Sequence, residues 1–110
     1  MGIKADGTLW AWGDNYYGEL GLGQAFVGQY IPTPTRVGSD TDWLAVAAGD
    51  QNSFLLKYDG SIWACGYNDY GKLGLGDTNN RHSPTRVWVW PLPNPGLTLL
   101  LLESPLGRGV

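Results

Sequence analysis

Ile3-Lys4-Ala5-Asp6-Gly7-Thr8-Leu9-Trp10-Ala11-Trp12-Gly13 is the stretch on which the fold turns, because it comes back. It returns 53 positions later as Leu56-Lys57-Tyr58-Asp59-Gly60-Ser61-Ile62-Trp63-Ala64-Cys65-Gly66. The same offset carries Asn15-Tyr16-Tyr17-Gly18-Glu19-Leu20-Gly21-Leu22-Gly23 onto Asn68-Asp69-Tyr70-Gly71-Lys72-Leu73-Gly74-Leu75-Gly76. Pro34-Thr35-Arg36-Val37 returns as Pro84-Thr85-Arg86-Val87 at an offset of 50, so the first copy holds three extra residues between Gly23 and Pro34. A length change confined to one segment marks a surface loop, and a period of about 50 residues marks a repeat architecture.

Each unit reads as a set of short strands. Asp6-Gly7 and Asp59-Gly60 lie between short apolar runs and predict two-residue hairpin turns, since both positions tolerate positive φ. Residues 8–12 and 61–65 are then the returning strands, and residues 53–57 the outgoing strand of the second copy. Ala45-Val46-Ala47-Ala48-Gly49 reads as a further strand whose small side chains allow a neighbouring sheet to come close. In the alternating segments around Gly18, Leu20, Gly21 and Gly23, and around Gly71, Leu73, Gly74 and Gly76, leucines tuck inward while glycines take unusual backbone angles. The Pro-Thr-Arg-Val segments suit edge strands, where proline costs no ladder hydrogen bond. About four strands per unit is the content of one propeller blade. The expected fold is all-β: about two blades of a propeller, with residues 3–37 an incomplete first repeat, 38–87 a second repeat and 88–110 a non-repeat tail rich in proline and leucine.

The composition agrees. Of 110 residues, 17 are glycine, roughly twice the average usage of about 7%. Six Trp and six Tyr stand beside two Phe, and only 15% of residues are charged; a helical bundle would want fewer glycines and more Ala, Leu, Glu and Lys. A net charge of −3 disfavours direct charge attraction to nucleic acid or to an anionic membrane. One cysteine, Cys65, forms no intrachain disulfide, and zinc-type Cys/His spacing is absent. No apolar run approaches the roughly 20 residues of a membrane span. The N-terminal residues carry no secretion-signal pattern, which makes the cytoplasm the default compartment.

The Asp-Gly-Thr-Leu-Trp-Ala-Trp-Gly run, the stretch from Asn15 to Gly23, and Trp43-x-x-Val46-Ala47-Ala48-Gly49 resemble regulator-of-chromosome-condensation repeats, with a Trp-Ala-Trp-Gly flavour similar to the bacterial members. The likeness runs from Ile3 to Val87. It implies blades of a closed ring, usually seven-bladed, of which this chain would be a fragment. It also implies either nucleotide exchange on a small GTPase, as in the founding member, or a scaffold for protein interaction. Two departures stand out. Asn52-Ser53 replaces a common His-Ser, and after Val87 the pattern gives way to Trp88-Val89-Trp90-Pro91-Leu92-Pro93-Asn94-Pro95-Gly96. The tail fits neither strand nor helix period and reads as an out-of-register ending.

Candidate chemistry is thin. Cys65 stands where the other copy has Trp12, which marks a packing slot, and a nucleophile would need a base beside it. The single histidine, His82, reads as a solvated residue of the loop 77–83. Asp6 and Asp59 are explained by their turns; Asp14, Asn15, Asn68 and Asp69 likewise read as turn residues. The glycine segments lack the Gly-Lys-Ser/Thr ending of a phosphate loop. Of Trp10, Trp12, Trp43 and Trp63, three lie in repeat positions and read as core between blades, and Trp88 with Trp90 reads as a sticky patch if exposed. The residues singled out, Asp6, Gly7, Trp10, Gly13, Gly18, Leu20, Gly21, Gly23, Asp59, Gly60, Trp63, Gly66, Gly71, Leu73, Gly74 and Gly76, are therefore a structural repeat motif. No catalytic, cofactor or metal site is expected. The leading function is a non-catalytic module for protein–protein interaction. Guanine-nucleotide exchange, carbohydrate binding through the tryptophans, and an inert gene remnant are the alternatives. Two blades leave sheet faces uncovered, so self-association or further blades are expected.

Overall fold

The computed structural model describes residues 1–88. It contains seven strands in two antiparallel sheets. The first sheet has the order β1 (Gly2–Ile3), β2 (Leu9–Asn15), β3 (Gln29–Arg36). The second has the order β4 (Trp43–Ala48), β5 (Asn52–Lys57), β6 (Ile62–Gly66), β7 (Arg81–Val87). Each is a simple meander, so β1, β2 and β3 match β5, β6 and β7 strand for strand. The chain is all-β with about two propeller blades. The expected tail lies, apart from Trp88, outside the described residues.

The Asp-Gly hairpins form, but with a different turn. Gly7 N–H donates to the Lys4 carbonyl (2.9 Å), and Lys4 N–H donates to the Thr8 carbonyl (2.9 Å). The loop is therefore three residues, Ala5-Asp6-Gly7, closed by a glycine at φ +84°. The second copy repeats it with Lys57, Gly60 and Ser61. Only the glycine takes positive φ, and the aspartate is free to use its side chain instead.

β3 and β7 are edge strands, each with a bulge at its proline. Ala11 faces Thr35 and Gly13 faces Ile31, which leaves Pro32, Thr33 and Pro34 opposite Trp12 alone. Ala64 and Gly66 face Thr85 and Arg81 in the same way, with His82, Ser83 and Pro84 opposite Cys65. A missing N–H costs nothing at such a place. The register also narrows the three extra residues of the first copy to the segment between Gly23 and Ile31, which holds a short 3-10 turn, Gln24–Phe26.

The principal core lies between the sheets. Leu9, Ala11, Leu20, Ile31 and Val37 of the first sheet and its loops pack with Trp43 and Leu55 of the second. A smaller cluster, Leu56 and Ile62 with Ala45, Phe54 and Val87, lies within the second sheet.

Candidate functional site

Two side-chain devices recur in both repeats. In the first, Asp6 Oδ1 accepts from the Thr8 amide (3.1 Å) and hydroxyl (2.6 Å), and the Thr8 oxygen accepts from Trp10 Nε1–H (2.8 Å). Asp59, Ser61 and Trp63 repeat the relay at 2.8, 2.6 and 2.8 Å. The donated bonds hold both carboxylates below their usual range. The motif Asp-Gly-Thr/Ser-x-Trp is thus a turn that also fixes its indole.

The second device corrects the reading of Asn15 and Asn68 as plain turn residues. Both are buried hubs. Asn15 Oδ1 accepts from Leu20 N–H (3.0 Å), and its Nδ2 donates to the Phe26 carbonyl (2.8 Å). Asn68 Oδ1 accepts from Leu73 N–H (3.0 Å), and its Nδ2 donates to the carbonyls of Asp77 (3.1 Å) and Asn79 (2.9 Å). Each asparagine gathers a glycine-rich loop and turns its leucine inward. The sequence signal was available, since asparagine occupies the same place in both copies.

The 18–23 loop, so gathered, clasps the second blade. The Glu19 carbonyl accepts from the Ser53 hydroxyl (2.9 Å) and the Cys65 thiol (3.4 Å). Gly23 N–H donates to the His82 carbonyl (2.7 Å). A Cβ on Gly18 would lie 2.7 Å from the His82 ring and 3.0 Å from its Cα; one on Gly21 would lie 3.1 Å from Pro84. Burial, with a further push from the Glu19 charge, raises the Cys65 thiol to about 12. It is a packing residue, as its place in the repeat implied. His82, expected in a solvated loop, lies in β7 and forms part of this joint. The tryptophans divide: Trp43 is buried, Trp10 and Trp63 are half-buried, and Trp12 is 44% exposed. Core between the blades is found at Trp43 and Trp63; Trp10 and Trp12 stand outside that core and together border a hollow lined by Gly2, Ile3, Lys4 and Pro34 of the first sheet. Trp88 is exposed, with the Arg86 guanidinium 3.9 Å from its ring centre.

Beside the joint, Lys57 Nζ contacts Asp40 (2.7 Å) and Asp42 (3.3 Å) and lies over the rings of Trp43 and Trp63. Burial works against its charge, but the two carboxylates outweigh burial and hold the ammonium above its ordinary value. The cluster is a brace for the 38–43 segment. Among the described residues, no group of three His, Cys, Asp or Glu side chains is placed to hold a metal ion, and no helix is long and apolar enough to cross a membrane.

A run of tyrosines crosses the two blades. Tyr16 and Tyr17 have ring centres 4.9 Å apart, Tyr17 and Tyr67 4.6 Å, and Tyr67 and Tyr70 6.4 Å. Tyr16 is 70% and Tyr70 79% exposed. The Tyr67 hydroxyl donates to Asp69 Oδ2 (2.7 Å), and that bond to a carboxylate pushes the phenol up to about 12. Tyr17 and Tyr70 hold one repeat position, 53 residues apart, whereas Tyr16 and Tyr67 have no tyrosine counterpart, so the repeat pattern alone does not show that the four rings meet.

A family model described as regulator of chromosome condensation (RCC1) repeat matches residues 6–56 and 59–94, and a second model of the same description matches residues 43–72. Among characterised relatives, the probable E3 ubiquitin-protein ligase HERC3 of Homo sapiens is 39% identical over 87 residues, covering 79% of this chain and 8% of that protein. The X-linked retinitis pigmentosa GTPase regulator homolog of Caenorhabditis elegans is 38% identical over 90 residues, covering 77% and 6%. Among solved structures, Prp20p of Saccharomyces cerevisiae, described with its binding to Gsp1p and histones, superposes with a TM-score of 0.69 at 25% identity over 81% of this chain and 24% of that one. Human WBSCR16 gives 0.66 at 26% identity, covering 76% and 22%. The chain thus spans a small part of each relative.

Proposed function

The chain belongs to the regulator of chromosome condensation (RCC1) repeat family, and from that premise we propose that it serves as a non-catalytic module for protein–protein interaction within a larger propeller assembly. The observation that carries this reading is the tyrosine run Tyr16-Tyr17-Tyr67-Tyr70. Aromatic side chains with polar tips are the residues that anchor protein interfaces. Here Tyr16 and Tyr70 stand exposed with Tyr17 and Tyr67 half-buried between them, Tyr67 is braced by Asp69, and the run is built from both blades. Binding of Gsp1p and histones by Prp20p supports protein as the partner class.

The tryptophans lend less to a sugar-binding reading, because Trp43 is buried and Trp10 and Trp63 are tied by their nitrogens to Thr8 and Ser61. The test compares proteins captured from lysate by the chain and by its Tyr16→Ala/Tyr70→Ala variant. Both side chains are at the surface, so folding persists. Partners specific to the wild type should weaken by about tenfold or more. Identical capture by both chains would contradict the assignment.

A further inference from the structure

The tyrosine run contains one pair that belongs to both blades. Tyr17 follows β2 of the first sheet and Tyr67 follows β6 of the second, yet their ring centres lie 4.6 Å apart with the planes tilted by 57°. That separation is close to the distance spanned by two ring radii and a carbon–carbon bond. Both residues are half-buried and held by their main chains. The Tyr17 amide donates to Glu19 Oε1 (2.8 Å), and the Tyr67 amide donates to the Gln51 carbonyl (2.8 Å). Two groups fixed at contact in this way have little orientational freedom left to lose on reaction.

The surroundings differ from ring to ring. The Tyr67 hydroxyl donates to Asp69 Oδ2 (2.7 Å), so a base already holds the proton that a tyrosine releases when it gives up an electron. The Lys72 ammonium lies 5.8 Å from the Tyr70 ring centre, where it opposes any positive charge created on that ring. Tyr16 and Tyr70 stand at the surface and neighbour the inner pair, Tyr16 at 4.9 Å from Tyr17 and Tyr70 at 6.4 Å from Tyr67. Tyr30 and Tyr58 are also exposed, but among the described residues they stack on no other aromatic ring.

We propose that Tyr17 and Tyr67 form an oxidative modification site, at which a one-electron oxidant of the peroxide-activated haem class joins the two rings as dityrosine and staples the blades together. Tyr67 gives one electron to the oxidant, directly or through Tyr70, and its phenolic proton to Asp69. Tyr17 gives a second electron, directly or through Tyr16, and its phenolic proton to water. The two phenoxyl radicals pair their unpaired electrons in one new bond between ring carbons ortho to the oxygens. Each of those carbons then releases its hydrogen as a proton and each oxygen takes one up, which restores both phenols. Two electrons and two protons leave in all, and two oxidant equivalents are each reduced by one electron. The product leaves Tyr16 and Tyr70 unaltered, so the modification stands or falls separately from the docking of a protein partner.

Treatment of the dilute full chain with a haem peroxidase and limiting hydrogen peroxide tests it. The expected product is a monomer lighter by two hydrogens, with dityrosine fluorescence, whose digest yields a peptide pair joined at Tyr17 and Tyr67. Tyr67→Phe keeps the ring, removes the hydroxyl and abolishes that product. Tyr30→Phe/Tyr58→Phe retains it in full. Asp69→Asn removes the base and forms the same link about tenfold or more slowly, with its circular dichroism unchanged. Links that fall at other tyrosines of the wild type, links found only between chains, or an Asp69→Asn rate equal to that of the wild type would each overturn the inference.

Discussion

The 18–23 loop and the 71–76 loop carry nearly the same sequence, hang from the same buried asparagine hub, and are held by different means. The first is clamped from outside, by Ser53, Cys65, His82 and Pro84 of the neighbouring blade. The second is braced from within its own repeat. Arg81 bridges to Asp77 at 2.8 Å, and Asn68 reaches the carbonyls of Asp77 and Asn79. In the first copy the longer segment between Gly23 and Ile31 forms the 3-10 turn Gln24–Phe26 instead, and Asn15 reaches the Phe26 carbonyl. A repeat motif therefore specifies the shape of its loop locally, while the neighbour decides how firmly that shape is held.

The comparison can be broken most forcefully at the glycines. Gly18 and Gly71 both have positive φ, +81° and +68°, so alanine strains either by about 1–2 kcal/mol. Only at Gly18 does the added carbon press on a backbone atom, His82 Cα, across the joint. Gly18→Ala should cost about 1–3 kcal/mol more than Gly71→Ala in urea unfolding. Equal losses would mean that the joint gives way freely.

A smaller effect sharpens the contrast from the other side. The Arg81 guanidinium and the Asn79 amide hold Asp77 below the usual carboxylate range. A carboxylate lowered by folding adds stability above its unfolded pKa of about 3.9 and loses it as pH falls through the folded value. The Asp77 pair is near the surface, so the contribution is modest. Asp77→Asn should lower thermal stability slightly near pH 7 and make no difference at about pH 2, as seen by circular dichroism. A deficit that persists in acid would assign the role of Asp77 to its shape instead of its charge.

Much of the architecture was legible in the sequence because it is local. Asp6-Gly7 and Asp59-Gly60 announce hairpins, Leu20 and Leu73 announce inward loops, and Pro34 and Pro84 announce edges. The turn was read one residue short, because Asp6 and Asp59 use their side-chain oxygens and leave the positive φ to glycine. Asn15 and Asn68 were read as turn formers because a polar residue after a strand suggests solvent; burial came from the loop that each one gathers. Trp12 and Cys65 occupy one repeat position and meet opposite fates, because Cys65 has a neighbouring loop over it and Trp12, among the described residues, has none. The tyrosine run joins residues about 50 apart in sequence, so no single window displays it.

Native-state amide exchange at Gly23 and Gly76 is the most direct test of the clasp. The two amides hold the same place in the two loops and differ in one bond, the 2.7 Å contact from Gly23 to the His82 carbonyl. At a concentration where the chain sediments as a monomer, Gly23 should exchange at least about tenfold more slowly than Gly76. Equal protection at the two positions under those conditions would contradict the account that, among the described residues, the 18–23 loop is the one clasped between blades.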